Sequence, residues 1–138
     1  MNIQIDHFID VKEYNNLRGS VNWACLKETQ AQTGINNTYY LVCARYNGEA
    51  IGMARVISDG GYVVYIADVI VNPAYQGMQV GRLMMDDIMS FIKNSLAING
   101  PVMVNLMAAK DKEGFYKNHG FITRPNEETG AGMFLWVK

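Results

Sequence analysis

Val69-Ile-Val-Asn-Pro-Ala-Tyr-Gln-Gly-Met-Gln-Val-Gly-Arg-Leu83 is the stretch that decides the fold. It reads as an apolar strand, a proline turn, a short loop holding Gly77 and the start of an amphipathic helix. Pro73 biases Asn72 away from helical backbone, so the strand ends there. Gly77 and Gly81 permit backbone geometry that a side chain would block, and Arg82 adds a cation. A loop that feeds a helix N-terminus presents unpaired backbone N–H groups and the positive end of the macrodipole. Phosphate binds at such places.

Spacing narrows the kind of phosphate ligand. The Walker loop needs G-x-x-x-x-G-K-[ST], whereas Gly77 and Gly81 stand too close and Arg82-Leu83 follows. The dinucleotide fingerprint G-x-G-x-x-G is missing too, so neither ATP hydrolysis nor NAD binding is supported. The run instead resembles motif A of the GNAT acetyltransferase superfamily, V-x-P-x-[YF] followed by [QR]-x-x-G-x-[GA]. Val71, Pro73, Tyr75, Gln76, Gly81 and Arg82 carry the resemblance, while Gln79 stands where the family usually has its middle glycine. Gly114-Phe-Tyr-Lys-Asn-His-Gly-Phe121, about 40 residues on, resembles motif B, F-Y-x-x-x-G-F, through Phe115, Tyr116, Gly120 and Phe121. The likeness runs from about Glu49 to the C-terminus. Taken as an ordinary local structure, the second run is a short helix closed by Gly120 in the left-handed region.

Composition agrees with a single folded domain over residues 1–138. The chain has 49% hydrophobic residues and net charge −1, the balance of a globular protein rather than a disordered one. It has no basic cluster to suggest nucleic acid and no apolar run long enough to span a bilayer. The N-terminus lacks the layout of a secretory signal, which makes the expected location cytoplasmic. Cys25 and Cys43 show no metal or redox spacing and read as small buried residues; no metal site is expected.

Periodicity gives an α+β order. Ile3–Ile5 reads as a strand, and Asp10 caps a helix to Arg18 with Val11, Tyr14 and Leu17 on one face. Trp23–Gln32 reads as a second helix ended by Gly34. Tyr39–Tyr46 and Ala50–Ser58 form a hairpin about Asn47-Gly48, and Asp59-Gly60-Gly61 turns into a strand over Tyr62–Val71. Val80, Leu83, Met84, Ile88, Phe91, Ile92 and Leu96 make a core-facing helical stripe, stopped at Asn99-Gly100-Pro101. Val102–Met107 follows as a buried strand, parallel to the one before the crossover helix. A short helix over Glu113–Asn118 and strands near Phe121 and Met133–Val137 complete the order. Resemblance to the GNAT fold implies an α/β/α layered, mostly antiparallel mixed sheet. It also implies a central pair of splayed parallel strands that admits the pantetheine arm of acetyl-CoA.

The resemblance further implies site residues. Backbone groups of Val69, Ile70 and Val71 would pair with the pantetheine amides like an added strand, with an amide near Ile70 as oxyanion donor. Gln76, Gly77, Met78, Gln79, Val80, Gly81 and Arg82 would cradle the diphosphate, with Phe115 and Lys117 near the adenine end. Tyr116 would protonate the departing thiolate; the plainer alternative is a packing tyrosine. The family's usual Glu or His on the strand before the loop would fall at Tyr65 or Ala67, and neither can act as base. Asp68 is the one acidic residue of that strand, and alternation points it to the face opposite Tyr65. It stands as a structural carboxylate paired with backbone amides or Arg55, or as a catalytic base acting through water. Trp23, Tyr39, Tyr40, Tyr62 and Tyr65 are candidates for an aromatic acceptor pocket, or simply core. The partners expected are a small-molecule amine and a second copy of the chain, with neither nucleic acid nor membrane. The runner-up reading is an acyl-CoA-binding module without turnover.

Overall fold

The computed structural model describes residues 2–138, which form two compact units divided between Asn105 and Leu106. A five-stranded sheet, within the first unit except for Leu106, runs β1 (Gln4–Asp6), β2 (Tyr40–Tyr46), β3 (Glu49–Ser58), β4 (Val63–Val71) and β5 (Met103–Leu106), neighbours in that order. The first four strands pair antiparallel. The Met103 N–H donates to the Tyr62 carbonyl at 2.7 Å and Asn105 Nδ2 to the Val64 carbonyl at 3.3 Å, so β5 and β4 advance in the same direction. With only four residues, β5 flanks the opening of β4. Among the described residues, the second half of that strand has no neighbour on that side.

Helix α1 (Val11–Ser20) begins with a complete capping box. Asp10 Oδ1 accepts from the Glu13 N–H at 2.8 Å, and Glu13 Oε1 accepts from the Asp10 N–H at 3.1 Å. Its Tyr14 and Leu17 are buried with Leu41, Cys43, Met53 and Ile70 on one face of the sheet. The hairpin turn has positive φ at both Asn47 and Gly48 (50° and 80°), as a type I′ turn requires.

Two further helices of this unit are α2 (Glu28–Asn36) and α3 (Val80–Phe91). Helix α3 packs across the sheet through Val80, Met84, Met85 and Ile88, and continues through a π turn over Ile92–Leu96. A Cβ at Gly52 would lie 3.2 Å from the end of the Met84 side chain, so glycine there admits the close approach of this helix to β3. Leu83, expected in the stripe, is exposed, and Met85 takes its share of the core.

Three expectations are corrected here. Helix α2 begins at Glu28, so Trp23–Lys27 precedes it and Gly34 lies inside it. Arg55 Nη1 donates to the Gly34 carbonyl at 3.0 Å, a main-chain bond that ties this turn of α2 to β3. Cys25 is exposed; Cys43 alone of the two cysteines is buried. The strands expected near Phe121 and over Met133–Val137 do not form.

In the second unit, α4 (Glu113–Lys117) closes through two bonds, Gly120 N–H to the Lys117 carbonyl at 3.0 Å and Phe121 N–H to the Tyr116 carbonyl at 3.2 Å. This is a Schellman closure. Gly120 takes φ +91°, and the rings of Phe121 and Tyr116 meet at 6.1 Å as its hydrophobic contact. The pattern F-Y-x-x-x-G-F therefore has a mechanical reason. Its glycine supplies the left-handed residue and its last phenylalanine clamps the end of the helix. Past it, Asn126 Oδ1 accepts from the Glu128 and Thr129 amides, and Arg124 Nε donates to the Gly130 carbonyl at 2.7 Å.

Candidate functional site

The middle of β4 departs from a regular ladder. Between the pairs Arg55↔Ala67 and Met53↔Ile70 stands one residue on β3, Ala54, and two on β4, Asp68 and Val69. This is a β-bulge, with its extra residue outside the ladder. Asp68 adopts φ 55°, a left-handed conformation that Asp tolerates better than most side chains.

Its carboxylate is held on several sides. Oδ2 accepts from the Tyr14 hydroxyl at 2.6 Å and from Arg55 Nε at 2.8 Å, and Oδ1 lies 3.5 Å from Arg18 Nη1. All three charged side chains are about nine-tenths buried. Burial, followed by the hydrogen bond to Asp68, pushes the Tyr14 phenol above its ordinary pKa. Arg55 also donates to Thr38 Oγ1, so α1, the end of α2, β3 and β4 converge on this one carboxylate.

The bulge overturns the expected facing of Asp68. Opposed residues share a face, so Tyr65 and Ala67 lie on the same side as Ile57 and Arg55. Arg55 reaches α1 and α2 on that side, and Asp68 meets Tyr14 and Arg18 there. Strict alternation fails because the inserted residue resets it, which also brings Ile70 into the core beside Tyr14. Of the readings left open for Asp68, the geometry matches a carboxylate paired with Arg55. Tyr14 and Arg18 join that pair from α1, and residue spacing carries no sign of either.

Beyond the bulge, β4 runs into the loop. Asn72 Oδ1 accepts from the Ala74 N–H at 3.0 Å, which starts a 3₁₀ turn over Pro73–Tyr75. Gln76 Nε2 donates back to the Val71 carbonyl at 3.1 Å, so this side chain braces the loop from behind. Gln76, Gly77, Met78 and Gln79 are all exposed. Gly77 takes φ +81°, with open space where a Cβ would stand.

Gln79 is the N-cap of α3 and takes φ 69°, ψ 13°, a left-handed conformation that glycine adopts without steric cost. No side chain caps this helix. The first intrahelical bond from the turn is Leu83 N–H to the Gln79 carbonyl at 3.0 Å, so the amides of Val80, Gly81 and Arg82 point out of the helix end. Arg82 is exposed and sits 3.8 Å from Asp86, one turn along. A diphosphate fits this cradle, which offers open main-chain donors, a helix dipole, one cation and no side chain in the way.

Replacing Gln79 by glycine is expected to keep the loop and raise stability by up to about 1 kcal/mol, since relief of left-handed strain exceeds glycine's entropic cost. Chemical denaturation checks it; a loss of stability would show that the Gln79 side chain supports the loop.

The remaining candidates lie on α4 in the second unit. Tyr116 is buried, 8% exposed, between the rings of Phe115 and Phe121, while Phe115 is half-buried and Lys117 exposed. Burial alone pushes the Tyr116 phenol up to about 12, so it is protonated at neutral pH.

The aromatic residues do not make a single pocket. Tyr40 stacks on Phe91 at 3.8 Å and donates to Asp87 Oδ2 at 2.6 Å. Tyr39 and Tyr40 line a recess of about 470 Å³ with His7, Phe8 and Ile35. Trp23 instead lies under the Arg18 guanidinium at 5.4 Å, near the Asp68 cluster. No helix among the described residues is long and apolar enough to cross a membrane.

Comparison with known proteins agrees with this arrangement. A profile described as an acetyltransferase (GNAT) domain matches residues 15–137. A crystallised Staphylococcus aureus protein described as a probable acetyltransferase superposes with a TM-score of 0.87 at 31% identity, covering 99% of this chain and all of that one. An uncharacterized N-acetyltransferase, ycf52, of the red alga Pyropia yezoensis is 25% identical over 94% of this chain and 74% of its own length. The rice chloroplast serotonin N-acetyltransferase 2 is 28% identical over 63% of this chain and 42% of its own. With its bulged β4, open loop and uncapped α3, the chain belongs to the GNAT acetyltransferase family.

Proposed function

We propose that this protein moves the acetyl group of acetyl-CoA to a primary amine of a small-molecule acceptor, by direct attack in a ternary complex and without a metal. The observation that carries the reading is the uncapped N-terminus of α3 behind an exposed loop, immediately downstream of a strand with an open side. Bound acetyl-CoA supplies an activated acetyl thioester; the rest is the work of the chain.

Gln76 to Arg82 cradle the diphosphate through the main-chain N–H groups from Gly77 onward and the Arg82 guanidinium, with Gln76 bracing the loop. The main chain of Val69, Ile70 and Val71 pairs with the amides of the pantetheine arm, in the manner of a strand added to an edge. An N–H near Ile70 donates to the carbonyl oxygen as negative charge develops on it. Tyr116 gives its proton to the leaving sulfur, and Phe115 and Lys117 contact the nucleotide end. The proposed setting is the cytoplasm.

Heat denaturation with and without acetyl-CoA tests the cradle. At 100 times the Kd the ligand is expected to add about 2.7 kcal/mol to stability. No shift at saturation would sink the proposal.

A second reading is kept alive by one observation. Tyr65 and Ala67 bring no base to β4, and Asp68 is already engaged by two arginines and a phenol. In that reading the chain binds acyl-CoA without turning it over. Thiol release across a panel of primary amines separates the two: release with any amine supports transfer, and binding without release supports the module.

A further inference from the structure

Arg18 and Arg55 share one carboxylate, and they are not held equally. Arg55 donates from Nε to Asp68 and from Nη1 to both the Gly34 carbonyl and Thr38 Oγ1, at 2.8–3.0 Å. Arg18 donates from Nε to the Ala24 carbonyl at 2.8 Å, and its Nη1 lies a long 3.5 Å from Asp68 Oδ1. A guanidinium carries five N–H donors, and Arg18 Nη2 has no acceptor among the described residues. Charge is unbalanced as well. Asp68 sets one negative charge against two guanidiniums, and the carbonyls of Ala24 and Gly34 accept hydrogen bonds without supplying any. A cation held largely out of water is costly until a counter-charge meets it.

The Arg18 fork is also fixed in place by residues of the first unit. Its central carbon lies 5.8 Å from the Tyr14 ring and 5.4 Å from the Trp23 ring, and the Nε bond to Ala24 sets its rotation. A donor group held this way loses little freedom when a ligand arrives. Its place in the fold is telling. Asp68, which it meets, adjoins Val69, where the main chain pairs with the acyl donor in the reading given above. With consecutive Cα atoms 3.8 Å apart, the fork stands within roughly 10 Å of that main chain, the reach of a small acceptor.

We infer that Arg18 binds a carboxylate carried by the acceptor, so that the amine acetylated is that of an amino acid. This rests on the acetyl-transfer reading and narrows it. A guanidinium pairs with a carboxylate through two parallel N–H bonds, a match that lysine cannot copy. The single surplus charge suits a monoanion; the second negative charge of a phosphate would stand against Asp68. Trp23, with its ring already on the fork, lies beside the bound acceptor and reports its arrival.

The test measures thiol release from acetyl-CoA with each standard amino acid, with its amide, and with 2-aminoethyl phosphate. At least one amino acid is expected to exceed its amide by about 100-fold or more in kcat/KM, although the amide carries more unprotonated amine at neutral pH. Arg18→Gln is expected to cut that preference at least about 10-fold and Arg18→Lys to restore part of it. The rise in melting temperature with acetyl-CoA checks that each variant is folded. Binding is read apart from turnover. Trp23 and Trp136 are the two tryptophans, so Trp136→Phe leaves Trp23 as the reporter. Its fluorescence is expected to change saturably with a non-aromatic amino acid but not with the amide, and to lose that response when Arg18→Gln is added. Amides used as well as acids, or a preference that both Arg18 variants leave unmoved, would overturn the inference and leave acetyl transfer standing. Preference for 2-aminoethyl phosphate would overturn the carboxylate. An Arg18-dependent fluorescence response without thiol release would uphold the carboxylate site and sink transfer, whereas neither response nor release with any amino acid would overturn the site itself.

Discussion

Asp68→Ala is expected to destabilise the protein by about 3–5 kcal/mol, the cost of removing one partner from a buried charge cluster. Arg55 and Arg18 would keep their charges with no carboxylate between them, and the Tyr14 hydroxyl would lose its acceptor. Alanine also tolerates φ 55° poorly, so the variant strains the bulge as well. Urea denaturation measures the loss; a change below about 1 kcal/mol would mean that the cluster holds nothing together.

Asp68→Asn separates scaffold from chemistry. Asparagine adopts the left-handed region readily and still accepts from Tyr14, so it preserves the turn while abolishing the charge. If the carboxylate only anchors, the variant loses stability but keeps most of its turnover when assayed well below its unfolding transition. Turnover slowed by roughly two orders of magnitude or more, with KM unchanged, would instead make Asp68 a base.

Tyr116→Phe is expected to slow turnover roughly 10- to 1,000-fold while leaving the affinity for acetyl-CoA nearly unchanged. With the phenol at about 12, proton donation to a thiolate near 8.5 is uphill by about 5 kcal/mol. That fits beneath a barrier of about 16 kcal/mol, which is typical of enzymatic turnover. Steady-state kinetics with an active amine decide it, and unchanged turnover would remove Tyr116 from the chemistry.

The same substitution has a signature in stability. Below pH 10 the phenol is protonated in folded and unfolded chains alike, so its burial costs nothing extra. Between pH 10 and about 12 the unfolded chain ionises first, and stability falls by about 3 kcal/mol on account of Tyr116. Tyr14 and Tyr40 are raised as well and push in the same direction. Tyr116→Phe is expected to flatten this alkaline decline by its own share.

Much of this was readable because some residues state their geometry locally. Asp10 and Glu13 spell a capping box, Asn47-Gly48 names its turn, and Met84, Ile88 and Ile92 repeat at helical spacing whatever lies beyond them. Phe115 to Phe121 fixes both a helix and its closure within seven residues. The bulge stayed hidden because a one-residue insertion leaves composition unchanged and alters only which side each residue faces. The partners of Asp68 stayed hidden too, since Tyr14 and Arg18 lie some 50 positions away and looked like ordinary helix residues. Met133–Val137 misled for the opposite reason. Its residues favour a strand, but a strand exists only where an edge receives it.

The insertion at Asp68 and Val69 splits β4 into two segments of opposite phase. Upstream, the residues facing α1 and α2 are odd-numbered, Tyr65 and Ala67; downstream, Ile70 takes that side. Substitutions that tailor the upstream segment to a new acceptor therefore leave the downstream main chain, and its hold on a common acyl donor, in register. A deletion of one residue there would merge the phases, expelling Ile70 from beneath Tyr14 and unseating everything from Val71 to the start of α3.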